Sequence, residues 1–67
     1  MTARYYVRVR SRGRDWWTDS SHRTLEAAER EANRLAMIAD EGVPRYAGVC
    51  VMYRGDTIYS VTREARA

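Results

Sequence analysis

The sequence has no lysine and no phenylalanine, and among its 67 residues it holds one cysteine, one histidine and one proline. Each shortage removes a class of protein. A lone thiol, Cys50, cannot close an internal disulfide, which fits a reducing cytoplasm. His22 with Cys50 cannot furnish a closed zinc site, so no metal is expected. Glycines stand at positions 13, 42, 48 and 55, too scattered to cradle a phosphate, and no cofactor is expected either. The longest mainly apolar run, Tyr46 to Tyr53, is eight residues, far short of a membrane span. The first residues lack the apolar stretch of a signal peptide. Without phenylalanine there is no Gly-Phe-Gly-Phe-like stretch of the ribonucleoprotein type.

What the chain does have is arginine. All 12 basic residues are Arg, and five of them (Arg4, Arg8, Arg10, Arg12 and Arg14) fall in the first fourteen positions without an acid among them. Exclusion of lysine is also what a GC-rich genome produces, so composition alone does not separate selection from codon usage. The placement is more telling. Net charge is +3, yet residues 15–41 carry seven acids against three Arg, so the basic charge is concentrated at the start. Arginine presents a planar fork that grips carboxylate or phosphate at two points and a flat surface that stacks on rings.

A chain of this length makes one domain, 1–67, with residues 63–67 expected as a flexible tail. Such a domain buries only about 60% of its unfolded surface, so oligomerisation would help it. Residues 4–10 alternate and are rich in Tyr and Val, the pattern of a strand. Tyr5, Val7 and Val9 share one face, and Arg4, Tyr6, Arg8 and Arg10 share the other. Ser11-Arg12-Gly13-Arg14 supplies a turn, and residues 15–20 return as a second strand. An even-numbered loop pairs position 10 with 15, placing Trp16 in the core and Trp17 beside Arg8 and Tyr6. An odd-numbered loop would exchange the two tryptophans.

Thr24 precedes apolar residues Leu25, Ala28, Ala32, Leu35, Ala36 and Ala39, spaced as one helical stripe, so a helix is predicted over 24–41. Thr24 serves as N-cap, Glu26–Arg30 forms an i,i+4 pair, and Gly42 and Pro44 end the element. Residues 46–54 and 57–62 read as strands joined at Gly55-Asp56, with 54 opposite 57. One face of that hairpin then carries Val49, Val51, Tyr53 and Ile58. The other carries Cys50, Met52, Tyr59 and Val61. A single helix covers only one face, so the second set is expected to meet a partner or a second copy in a homodimer, unless the first strands or loops fold over it. The whole is an α+β, two-layer β-β-α-β-β domain, a mainly antiparallel sheet with one helix packed on it.

Little of this supports catalysis. Asp19-Ser20-Ser21-His22 contains the residue types of a nucleophilic triad. Neighbours in a short connection, however, satisfy backbone donors more readily than they assemble that geometry. Glu29, Glu31, Asp40 and Glu41 read as solvated carboxylates. The expectation is a non-enzymatic binding protein whose contact surface is Arg4, Tyr6, Arg8, Arg10, Arg12, Arg14 and Trp17, although Arg stems shielding rings on a solvated strand look similar. Its partner is a host protein or ribonucleoprotein complex, or nucleic acid itself; the remaining alternative is a self-associating structural protein whose only partner is a second copy. The acid-rich helix is ill suited to reading a DNA groove.

The Tyr/Val strand, the Arg-Gly-Arg turn, the Trp-containing return strand and His22-Arg23-Thr24-Leu25-Glu26-Ala27-Ala28 together resemble small β-β-α-β-β proteins of phages and mobile elements. That group includes anti-CRISPR inhibitors of type I surveillance complexes. The resemblance implies a protein of the host cytoplasm, without catalysis, that covers a surface otherwise used by DNA or a partner nuclease. Several such inhibitors are acidic DNA mimics. A basic chain would instead dock on acidic patches or reinforce contact with nucleic acid.

Overall fold

The structure is a computed structural model that describes residues 4–61. Thr62, which closes the expected last strand, and the expected tail 63–67 lie outside the described residues. Six strands and one helix follow in the order β1 (Tyr5–Arg10), β2 (Trp17–His22), α1 (Leu25–Ala36), β3 (Ala39–Asp40), β4 (Val43–Pro44), β5 (Gly48–Tyr53) and β6 (Asp56–Val61). The four long strands form one antiparallel sheet in the order β2-β1-β5-β6, so the two hairpins lie side by side with β1 against β5. Helix α1 crosses one face of that sheet. The expected α+β plan is the observed one, with the small β3–β4 hairpin as an addition.

Each element has a local cause. Thr24 caps α1 as expected: its backbone is extended at φ −128°, and its hydroxyl accepts from the Ala27 amide at 3.2 Å. Glu26 and Arg30 pair at 3.2 Å on the solvent side. The helix stops five residues short of the expected end. Glu41 and Gly42 take positive φ of 53° and 82° as the central residues of a two-residue hairpin loop, which pulls Ala39 and Asp40 into β3. Arg45 fastens that hairpin with two hydrogen bonds to the Asp40 carboxylate, at 3.0 and 3.1 Å. This bond holds the Asp40 carboxyl below its ordinary pKa.

Val7, Val9, Val49 and Val51 are fully buried beneath Ala28, Ala32, Leu35 and Ala36. Three alanines on the inner stripe keep the helix close to the sheet, where β-branched residues fill the pleats. Leu25, assigned to the same stripe by its spacing, stands exposed at the first turn.

The hairpin registers differ from expectation. In the first, Val9 lies opposite Trp17, as an odd-numbered loop dictates, and one extra residue, Asp19, bulges from β2. In the second, the loop is Arg54-Gly55, at φ 52° and 85°, so Tyr53 rather than Arg54 opens the pairing opposite Asp56. Ile58 is then the extra residue in β6, and beyond it Val51 faces Tyr59 and Val49 faces Val61. Both bulges sit on outer strands, where they discourage edge-to-edge pairing.

Candidate functional site

Strand alternation around this register assigns every side chain of the sheet to one of two faces. The helix side holds the core. The opposite side has no covering element among the described residues. Across it run Ser21–Tyr6–Met52–Thr57, then Thr18–Arg8–Cys50–Ser60, then Arg10–Gly48. No residue in these rows is acidic. Arg4 stands at one end, its Nε donating to the Ser21 hydroxyl at 3.2 Å. At the other end Arg12, Gly13 and Arg14 form an exposed turn, closed by the Arg14 amide donating to the Ser11 carbonyl at 3.1 Å. Gly13 takes φ of 72°, the position in a type II turn that favours glycine.

The expected contact set is therefore placed together with one exchange. Arg4, Tyr6, Arg8 and Arg10 share the open face, and Arg12 and Arg14 border it. Trp17 does not belong: it lies on the helix side, edge-on to Tyr46 with ring centroids 6.1 Å apart. Trp16 takes its place. The Trp16 ring spreads over Gly48, where an added Cβ would meet its Cη2 at 2.8 Å, and the Arg10 guanidinium sits 5.9 Å from the ring centroid. A glycine opening an apolar strand signals such a close approach, and that was the available clue. Tyr6 and Trp16 remain 43% and 38% exposed, two rings on one basic face.

The grouping of Cys50, Met52, Tyr59 and Val61 on one surface does not hold. The bulge at Ile58 turns Tyr59 and Val61 toward the helix, where they pack on the core and the Tyr59 hydroxyl donates to Asn33 Oδ1 at 2.8 Å. Cys50 and Met52 stay on the open side, flanked by Ser60 and Thr57 instead. Cys50 is buried there, and burial raises its thiol pKa even though Arg8 acts in the opposite sense.

The electrostatics of the two faces differ in kind. The ion pairs of the described residues are Glu26–Arg30, Glu31–Arg34 and Asp40–Arg45, and none uses an arginine of the first strand or its turn. Glu31 raises the Arg34 pKa by hydrogen bond and charge, with Asp19 adding a smaller push. Arg8 is held differently. One terminal nitrogen donates to the Trp16 carbonyl at 3.2 Å and the other approaches the Met52 sulfur at 3.7 Å, while its Nε is buried with no partner.

Concavities among the described residues open on both faces of the sheet. A groove of about 440 Å³ on the helix side is lined by His22, Ala27, Arg30, Glu31 and Arg34, and both of its arginines are already paired with glutamates. Beside it Ser20 Oγ and His22 Nε2 are hydrogen-bonded at 2.9 Å, but no carboxylate of the described residues bonds to that imidazole. These residues belong to β2, so Ser21 points away from them, toward Arg4. A cleft of about 310 Å³ opens on the other face, lined by Arg8, Trp16, Cys50, Met52, Thr57 and Ser60. Among the described residues no group of three or more His, Cys, Asp or Glu stands together, and no helix is long and apolar enough to cross a membrane.

Comparison with protein-family models, with curated proteins and with solved structures finds no match to this chain.

Proposed function

We propose that this chain is a non-enzymatic binding module that lays single-stranded nucleic acid across the open face of its sheet. One observation carries the reading: among the described residues no arginine of β1 or its turn is ion-paired, and the strand rows they lie on or beside hold no acid and also present Tyr6, with Trp16 spread over Gly48. Exposed rings offer stacking platforms to bases, and unpaired guanidinium groups offer forks to phosphates. A duplex hides its bases and would use the charge without the rings. The acid-rich helix lies behind the sheet, away from the backbone of a bound strand. A lone buried thiol suits a reducing cytoplasm, where we place the protein.

A second reading keeps the face and changes its occupant. An inhibitor of the kind the resemblance implies would set the same arginines on an acidic patch of a host nucleic-acid-handling complex. The modest net charge of +3 favours it, since dedicated nucleic-acid binders are commonly more basic.

Fluorescence anisotropy with labelled oligothymidylate, oligouridylate and a duplex of matched length separates these. Single strands should bind more tightly than the duplex at low salt. Trp16→Ala should weaken single-strand binding about 5- to 150-fold, the range of one base–aromatic stack. Failure of every nucleic acid to bind at low salt would reject direct binding and leave the protein-docking reading in its place.

A further inference from the structure

The cleft on the open face is built by two departures from regular pairing. Gly48 lacks the side chain that would lift the Trp16 ring, so the ring lies down on the sheet as one wall. The bulge at Ile58 brings Thr57 and Ser60 opposite Met52 and Cys50, so the far rim is small and hydroxylated. Met52 and Cys50 make an apolar floor between them.

Arg8 lines the same cleft, and its bonding is incomplete. A guanidinium carries five N–H groups. One donates to the Trp16 carbonyl and one, weakly, to the Met52 sulfur, while Nε is buried without a partner. N–H groups on both terminal nitrogens remain. No carboxylate pairs with this cation among the described residues. A half-buried cation without a carboxylate is unfavourable, and an anion in the cleft that accepts from those terminal N–H groups would compensate it. A ring wall, an apolar floor, hydroxyls able both to donate and to accept, and an uncompensated cation are the complement of an aromatic base joined to a phosphate. At about 310 Å³ the cleft lies at the small end of ligand pockets, roughly 300–1,000 Å³.

We infer that this cleft is a pocket for one nucleotide unit of the bound strand, with the base against Trp16 and its edge toward Thr57 and Ser60, and a phosphate on Arg8. It rests on the single-strand reading above and adds a defined station to it. Sequence preference there is weak, because serine and threonine hydroxyls serve any base edge.

The test is an NMR titration of the full chain with thymidine 5′-monophosphate, run beside thymidine and inorganic phosphate. Expected are saturable shifts at Arg8 Nε–H, the Met52 methyl and the Cys50 and Ser60 amides with the monophosphate. Thymidine or phosphate alone should produce much smaller changes. Ser60→Phe, an exposed position on an outer strand, fills the cleft and should abolish those shifts and weaken oligothymidylate binding about tenfold. Thr57→Tyr closes the cleft from the other rim and replaces Ser60→Phe if that variant does not fold. Equal responses to inorganic phosphate and to the monophosphate would reduce the site to a bare anion contact and overturn the pocket. Undiminished oligothymidylate binding by a folded, cleft-filled variant would overturn the pocket while leaving the sheet surface standing. Monophosphate shifts in the cleft without oligonucleotide binding would support the pocket and overturn the single-strand reading.

Discussion

Arg8→Met separates a residue kept for stability from one kept for binding. In the free protein Arg8 Nε is buried without a partner, and an unsatisfied buried donor costs about 1–3 kcal/mol. Against this stands one charge-assisted hydrogen bond to the exposed Trp16 carbonyl, with a net contribution of about 1.5–3 kcal/mol, and water replaces that partner when it is lost. Methionine keeps the unbranched stem along Met52 and Cys50 and removes the charge. The two nearly cancel, so the variant should stay within about 1 kcal/mol of the parent, a Tm change no larger than roughly 4–8 °C in a domain of this size. Urea unfolding followed by tryptophan fluorescence reads this as a midpoint close to the parent's with unchanged slope. The same variant should lose oligothymidylate affinity, because its cation is gone. A variant destabilised by more than about 1 kcal/mol that binds as well as the parent would refute this reasoning and make Arg8 a structural cation.

Other consequences follow from the same geometry. Val51→Ala removes two methyl groups from a fully buried site and should cost about 2–3 kcal/mol, a large share of what a domain this small holds, as a lower urea midpoint. Gly48→Ala puts a Cβ 2.8 Å from Trp16 Cη2, so the ring must leave the sheet; the Trp16 indole N–H resonance should move while far-UV circular dichroism stays unchanged. Because the folded Asp40 carboxyl titrates below its ordinary value, its contribution to the β3–β4 hairpin is complete above that value and is lost as pH falls through the folded one. Arg45→Ala should therefore raise the Asp40 midpoint seen by carboxyl NMR, and an unmoved midpoint would dismiss the pair as a crossing of side chains.

The sequence showed the element plan and the inner face of β1 because each rests on a strong local signal. Thr24 and the three-and-four spacing start the helix without tertiary help, and the Tyr-Val-Arg alternation has only one apolar side. The end of the helix was hidden because Ala39 continues the stripe, and only the Glu41-Gly42 loop geometry reveals that the chain has already turned. The tryptophan exchange and the splitting of Met52 from Tyr59 share another cause. Strand period is two, so a loop one residue longer or a single bulged residue moves everything beyond it to the other face. Asp19 and Ile58 are those bulged residues, and neither has a side chain that announces it. The basic character of the open face survived these shifts because it is written in β1, a central strand whose alternation is unbroken against β5.

The dependence of oligothymidylate affinity on salt tests the binding surface most directly. Three arginines on the open face and two in the turn release about 0.7 counterions per neutralised phosphate, so log affinity should fall against log salt with a slope of about −2 to −3.5. That is roughly a 15- to 130-fold loss between about 50 and 200 mM salt. Replacing Arg10 by alanine should make the slope shallower by about 0.7. A slope near zero, or one that the loss of Arg10 leaves unaltered, would contradict the assignment of this face to nucleic acid.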